Sequence, residues 1–401
     1  MLPDPSGLSD ADLERLRDDT PASRTCHHLN NAGSALPPQV VVDTMVGHLR
    51  REAEIGGYEA HDEAQERLAA TYTALGRLVG APPERIALTT SATDSWLRGF
   101  LSIPLDAGDR ILTSQAEYAS NVLALLAVAR RTGATVEAVP DDATGVLDLD
   151  ALRDMLDERV RVVAVTHAPS QNGLLNPVTE IGGVLREAAP EAWYVVDACQ
   201  SVGQLPLDAP AMGADFLSAT GRKFLRGPRG TGFLYASERA LTLEPALIDL
   251  HAATWTTPTD YVVAPTARRF ENWEKSYAGM LGMGAAAEYA LATGLDVLAG
   301  RIGWMAERCR EGLAELPRVR VHDRGTRRSG IVTFSVAGRD AADVAREIKA
   351  AGVNVSYSPR EYAVRDFDAQ GVTGLVRVSP HVFTSDDDVS ALLDAVAAAS
   401  R

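Results

Sequence analysis

Between residues 75 and 240, short apolar runs alternate with longer amphipathic ones. The apolar runs are Ile86–Thr90, Arg110–Thr113, Thr135–Val139, Val160–His167, Trp193–Asp197, Asp215–Ser218 and Gly232–Tyr235. They show little polar alternation, as strands buried on both faces do. Helical stretches, Ala92–Leu101, Ser120–Thr132, Leu149–Leu156 and Thr179–Ala188, separate several of them. The pattern predicts an α/β fold with a mostly parallel sheet covered on both sides. In such sheets ligands bind beyond the carboxyl ends of the strands, so the strand ends are where chemistry is sought.

Upstream, Ser9 is placed to cap a short helix Asp10–Arg17, and Pro37-Pro38 precedes a helical run Val40–Glu54 that stops at Gly56-Gly57. Downstream, 241–275 has no regular period. Helices are expected at Tyr277–Ala292 and Leu298–Leu316, then a small α+β tail: strand Ile331–Val336, helix Ala341–Ala351, strands Val353–Ser356 and Leu375–Ser379, helix Asp386–Ala398. The expected division is an N-terminal segment 1–30, a large domain 31–276 and a small C-terminal domain 277–401.

With 46% apolar and 23% charged residues, the chain has an ordinary globular composition. Its net charge of −15 argues against nucleic acid or an anionic membrane as partner. The longest apolar run, Val122 to Ala129, is too short for a membrane span. No apolar signal core opens the chain, and Cys26, Cys199 and Cys309 have neither zinc nor disulfide spacing. Reduced thiols in a cytoplasmic protein are expected. Lysine occurs only at 223, 275 and 349, so lysine chemistry has three candidates.

Asp197 ends an apolar strand with Gln200 just beyond, as a ligand-facing carboxylate or a turn residue. Lys223 follows the strand Asp215–Ser218 in Thr220-Gly-Arg-Lys-Phe-Leu-Arg-Gly-Pro-Arg229. Arg222, Arg226 and Arg229 around it would favour a neutral, nucleophilic amine; a basic surface loop is the plainer reading. Thr220 and Arg222 suit a phosphate. Thr89-Thr-Ser-Ala-Thr-Asp94 lies between strand and helix, where N–H groups face an anion or Ser91 merely caps. One cofactor, pyridoxal phosphate, uses all of these: a lysine for its aldehyde, a carboxylate for its ring nitrogen and a helix N-terminus for its phosphate.

In order and spacing these motifs resemble the class V aminotransferase family of fold-type I pyridoxal-phosphate enzymes, over nearly the whole chain. His28-Leu-Asn-Asn-Ala-Gly33, Thr90-Ser-Ala-Thr93, Glu117-Tyr118, Val196-Asp-Ala-Cys-Gln200, Thr220-Gly-Arg-Lys223 and Leu375-Val-Arg-Val-Ser379 carry the resemblance. It implies that Lys223 bonds the cofactor and that Ala92, Thr93, Thr220 and Arg222 hold its phosphate. Tyr118 stacks on the ring, Asp197 meets the ring nitrogen, Gln200 reaches the phenolic oxygen, and Ser170 or Gln171 supplies the polar contact that an asparagine usually makes near the cofactor. Asn31, Arg377 and Arg360 bind the amino-acid substrate. His251, Trp255, Tyr58 and Tyr357 are candidate pocket walls. Tyr118 and Arg222 replace the family's histidines. Glu274 falls where a threonine reaches the partner's phosphate, in a family whose sites lie at a homodimer interface.

Cysteine desulfurases in this family need a cysteine on a loop shortly before the carboxylate-binding arginine, and 310–401 contains none. Cys199 is read as core. The pattern most resembles C–S lyases that cleave cysteine S-conjugates in secondary metabolism. Decarboxylating oxidative deamination, transamination and epimerisation stay open, because one base and one carbanion serve them all.

Overall fold

The computed structural model describes residues 6–401; residues 1–5 of the expected N-terminal segment lie outside the described residues. Seven strands form the main sheet: β1 Ile86–Thr89, β2 Arg110–Thr113, β3 Thr135–Ala138, β4 Val160–Thr166, β5 Trp193–Asp197, β6 Phe216–Thr220 and β7 Gly232–Ala236. Their order is β1-β7-β6-β5-β4-β2-β3. All run parallel except β7, which is antiparallel to β1 and β6. Every residue of β5, β6 and β7 is buried, as unbroken apolar runs require. β6 extends two residues past the expected end because Thr220 pairs with Gly232. Asp215 drops out of the strand, and its carboxylate accepts the Tyr194 N–H at 2.9 Å.

One face packs Trp96, Phe100, Phe216 and Phe270; the other packs Tyr72, Leu75, Leu217 and Phe233. Helices Gly57–Glu63 and Gln65–Leu78 occupy a stretch that the sequence reading left unassigned. The first long helix, Gln39–Ile55, stops at Gly56 as expected, and Gly56, at φ 105°, turns the chain directly into the next helix. Gly284, in helix Tyr277–Thr293, lets that helix approach closely: a Cβ there would lie 2.2 Å from Thr71 Oγ1. The span expected to be irregular holds an exposed hairpin, Ala253–Thr257 with Asp260–Val263. Polar and apolar residues are both exposed there, so no burial period marks it.

The C-terminal part is a four-stranded antiparallel sheet in the order Val319–Val321, Val332–Val336, Gly374–Val378, Ser356–Pro359, with helices Ala341–Ala350 and Asp386–Ala399. The expected strand Val353–Ser356 is two: Val353–Asn354 pairs with His27–His28, and Ser356 begins the edge strand. Leu29, Met305, Phe334, Ile348 and Val376 form its core, whereas Met283, Ala287, Leu298 and Ile302 belong to the large one. Core packing therefore changes over inside helix Leu295–Ala314.

The two units are tied beside the Lys223 loop. Asn30 bridges to Ser379, and Ser379 Oγ accepts the Ala32 N–H at 2.8 Å. His381 is fully buried. Its Nδ1 accepts the Val382 N–H at 2.8 Å, so Nε2 carries the proton and donates to Phe224 O at 2.9 Å. Burial pushes its pKa down to about 3. Below about pH 6.5 the unfolded chain takes up a proton that the native ring refuses, so stability falls with pH through that value toward 3. Urea titrations should show this decline. His381→Phe, which keeps the stacking on Phe224 and Phe383, should make it shallower by about 1.4 kcal/mol per pH unit; an unchanged slope contradicts the neutral-ring assignment.

Candidate active site

The carboxyl ends of β4, β5 and β6 lie side by side: Thr166 pairs with Asp197, and Asp197 with Ser218. Lys223 stands three residues past β6 and is only 8% exposed. Its Nζ lies 5.9 Å from the centroid of the Tyr118 ring, which opens helix Ala119–Thr132. Cys199 is half-buried rather than core, and its N–H donates to Asp197 Oδ1 at 2.8 Å, which sets it beside the site. Burial raises its pKa, and the Lys223 charge opposes the rise.

Asp197 is buried, with each oxygen taking one donor: Cys199 N at 2.8 Å and Asn121 Nδ2 at 2.9 Å. Burial raises its pKa; the Asn121 and Cys199 bonds and the Lys223 charge hold it down. Asn121 Nδ2 also lies 2.9 Å from Glu117 Oε1. Neither Asn121 nor a role for Glu117 was read from the sequence. The signal was the spacing: Asn121 sits one helical turn beyond Glu117, at the same helix start as Tyr118.

Gln200 Nε2 donates to Ser170 Oγ at 3.0 Å and Ala32 O at 3.1 Å, which joins three expected site residues or their neighbours. Arg377, in strand Gly374–Val378, is also buried. Its Nη1 donates to Ser170 O at 3.2 Å while Nε has no partner. Burial and the neighbouring Arg222 lower its pKa to about 10. Arg222 itself donates to Gly33 O. Among the described residues neither guanidinium has a carboxylate partner, whereas buried Arg98 and Arg310 each do. Two cations held near each other without a counter-ion make a site for anions. Asn31 Nδ2 donates to Ser379 O at 2.8 Å; its Oδ1 and Gln200 Oε1 are buried and unpartnered. These orphaned polar atoms, with the amine and carboxylate among them, fit pyridoxal phosphate with an amino acid beside it.

The phosphate elements also meet. Ser91 caps helix Ala92–Phe100 through the Asp94 N–H, which leaves the Ala92 and Thr93 N–H groups at its open end. A Cβ on Gly232 would lie 2.5 Å from Ser91 C and 2.8 Å from Ala219 O, so the absence of a side chain lets this turn sit against the end of β6. Thr220 Oγ1 donates to Thr231 O at 3.1 Å, and its lone pairs remain for other donors.

Other expectations are not met. Arg226 turns away from Lys223 to Leu36 O at 2.9 Å and to Thr20, and Arg229 is exposed, so only Arg222 stays near the site. Arg360 is exposed and locked to Asp368, with Nη2 at 2.6 Å, which takes it out of the cluster. Trp255 and Tyr357 are exposed. His251 joins a separate buried cluster with Glu271 at 2.9 Å and Lys275, and Tyr58 lines an adjoining cavity of about 410 Å³.

The model of the family described as Aminotransferase class-V matches residues 27–392. A probable cysteine desulfurase of Xylella fastidiosa (strain 9a5c) is 29% identical over 398 residues, 96% of this chain and 95% of the relative. The apo structure of cysteine desulfurase from Thermococcus onnurineus NA1 superposes with a TM-score of 0.87 at 26% identity, covering 96% of this chain and 97% of that one. The complex of the cystine C–S lyase C-DES with its reaction product cysteine persulfide has the same fold, with a TM-score of 0.85 at 23% identity over 94% and 99% of the two chains.

The Cys199 geometry makes a direct prediction. In cofactor-stripped protein, iodoacetamide should label Cys199, and adding pyridoxal phosphate should protect it. Fully buried Cys309 should stay unlabelled in both states. Peptide mass spectrometry reads the result; labelling of Cys199 that ignores the cofactor would contradict the placement.

Proposed function

The chain belongs to the class V aminotransferases, fold-type I enzymes that use pyridoxal phosphate, and we propose that it cleaves the Cβ–sulfur bond of a cysteine S-conjugate by α,β-elimination. The observation that carries this reading is Arg377: a buried guanidinium with no carboxylate of its own, grouped with Lys223, Asp197 and Gln200. It suits the α-carboxylate of an amino acid.

When bound, the cofactor supplies an electron sink that makes the bonds at Cα labile. Arg377 would grip the substrate carboxylate through its planar fork and so fix which Cα bond breaks. The Lys223 amine, beside Tyr118, would take the Cα proton. Asp197 would hold the proton on the ring nitrogen, while Ala92, Thr93, Thr220 and Arg222 hold the phosphate end. Loss of the sulfur group from Cβ, followed by hydrolysis, gives a thiol, pyruvate and ammonia from one substrate and one water.

The relatives named cysteine desulfurases and the C–S lyase C-DES also break a carbon–sulfur bond. Transfer of that sulfur to a cysteine ahead of Arg377 has no acceptor here, because 310–401 lacks cysteine. Ser356–Pro359 and the turn Arg360–Tyr362 stand in that place. This supports release of a thiol over relay. A cytoplasmic homodimer in natural-product metabolism completes the reading. The dimer is favoured by the exposed apolar residues Trp255 and Val262 of the hairpin; among the described residues no helix is long and apolar enough to cross a membrane.

Incubation with an S-substituted cysteine should yield thiol, pyruvate and ammonia in equal amounts by mass spectrometry; a keto acid that retains its sulfur would mean transamination. Arg377→Lys should lose about ten- to a hundredfold in kcat/KM while still binding the cofactor. An unchanged kcat/KM, or loss of cofactor, contradicts the clamp.

A further inference from the structure

Glu117 is a buried carboxylate, 2% exposed, and has no cationic partner among the described residues. Its Oε1 accepts from Tyr118 N at 3.0 Å, from Asn121 Nδ2 at 2.9 Å and from the Thr166 hydroxyl. Its Oε2 accepts from Thr166 N at 2.9 Å and Ser114 Oγ at 3.2 Å. The amide N–H groups can only donate, so both oxygens are held as acceptors. The carboxylate also sits at the start of helix Ala119–Thr132, where the helix dipole favours an anion. Against this stand burial and the nearby charge of Asp197, which both push its pKa up. Such a group is costly, and an apolar side chain would fill the space more cheaply.

What the charge does there follows from Asn121. One amide nitrogen lies 2.9 Å from Glu117 Oε1 and 2.9 Å from Asp197 Oδ2. Its two hydrogens are thus shared between two carboxylates, and the plane of the amide is fixed. Asp197 Oδ1 is fixed separately by Cys199 N. The Asp197 carboxylate is therefore oriented from both sides, with a second negative charge behind it. The same Glu117 holds the N–H of Tyr118, whose ring faces Lys223.

We propose that Glu117 is a positioning residue which, through Asn121, sets the orientation and proton affinity of Asp197 and thereby keeps the cofactor's ring nitrogen protonated. This rests on the reading that Asp197 faces that nitrogen.

The test loads the enzyme with pyridoxal phosphate carrying 15N in the ring and reads the nitrogen shift by NMR. Asp197→Ala is the reference and should move the shift toward the unprotonated value. Asn121→Ala and Glu117→Gln should move it in the same direction, each by less. Both should retain the cofactor and lose about tenfold or more in kcat, with KM changed less than about twofold. Glu117→Gln turns an NH2 against a backbone N–H and can disturb folding; Asn121→Ala leaves the other partners of Glu117 in place, so an unmoved shift there refutes the relay whether or not Glu117→Gln folds, and Glu117→Gln that keeps the cofactor with an unmoved shift refutes the part of Glu117. If Asp197→Ala moves the shift and Asn121→Ala does not, the relay is refuted while Asp197 keeps its role. If Asp197→Ala leaves the shift unmoved, the reading of Asp197 fails and the proposal falls with it.

Discussion

Lys223, Arg222 and Arg377 are held largely out of water at one end of the sheet, and the carboxylates near them, Asp197 and Glu117, are bonded to neutral amides and hydroxyls rather than to the guanidiniums. Leaving buried charges without mutual ion pairs costs several kcal/mol each. The rest of the structure is arranged to sustain that cost. Unbroken apolar strands fix the end of the sheet, a buried Asn121 shares its amide between two carboxylates, and a neutral His381 donates to Phe224 O beside Lys223. The unpaired polar atoms mark where an anionic amino acid and an anionic cofactor supply the missing partners. Binding then relieves a cost that folding alone leaves standing.

The site depends on both units. Lys223, Asp197 and Gln200 come from the large sheet, and Arg377 from the small one. Of the ties that hold them in register, three lie at the site: Ser379 against Asn30, Asn31 and Ala32, His381 against Phe224, and Arg377 against Ser170. All three lie within the site or one residue from it. A shift of the small unit would therefore move the substrate clamp relative to the amine, which is the geometry that decides which bond at Cα is broken.

The central strands of the large sheet were legible because full burial leaves an unmistakable apolar run; Trp193–Asp197 matches to the residue, and so does the less buried Arg110–Thr113. Helix Gln65–Leu78 was not, because Thr and Tyr stand at two of its regularly spaced buried positions, Leu68, Thr71, Tyr72, Leu75 and Leu78. Strand Val353–Ser356 was one run in sequence but two in space, since the chain leaves one neighbour for another at Val355. In the site, motif order placed Lys223, Asp197, Gln200 and Arg377 together. Arg226, Arg229 and Arg360 misled because closeness in sequence or to a motif does not say where a long side chain points. Asn121 escaped notice because a neutral amide on a helix carries no chemical signal until its two acceptors are seen.

The central claim is that Lys223 is the residue joined to the cofactor. Borohydride reduction of the loaded enzyme, followed by digestion and peptide mass spectrometry, tests it most directly, since the chain offers only two other lysines, Lys275 and Lys349. The account predicts a single pyridoxyl adduct on the peptide that contains Lys223. An adduct on Lys275, which sits with Glu271 and His251 in the separate cluster, or on Lys349, with Lys223 unmodified, would contradict it.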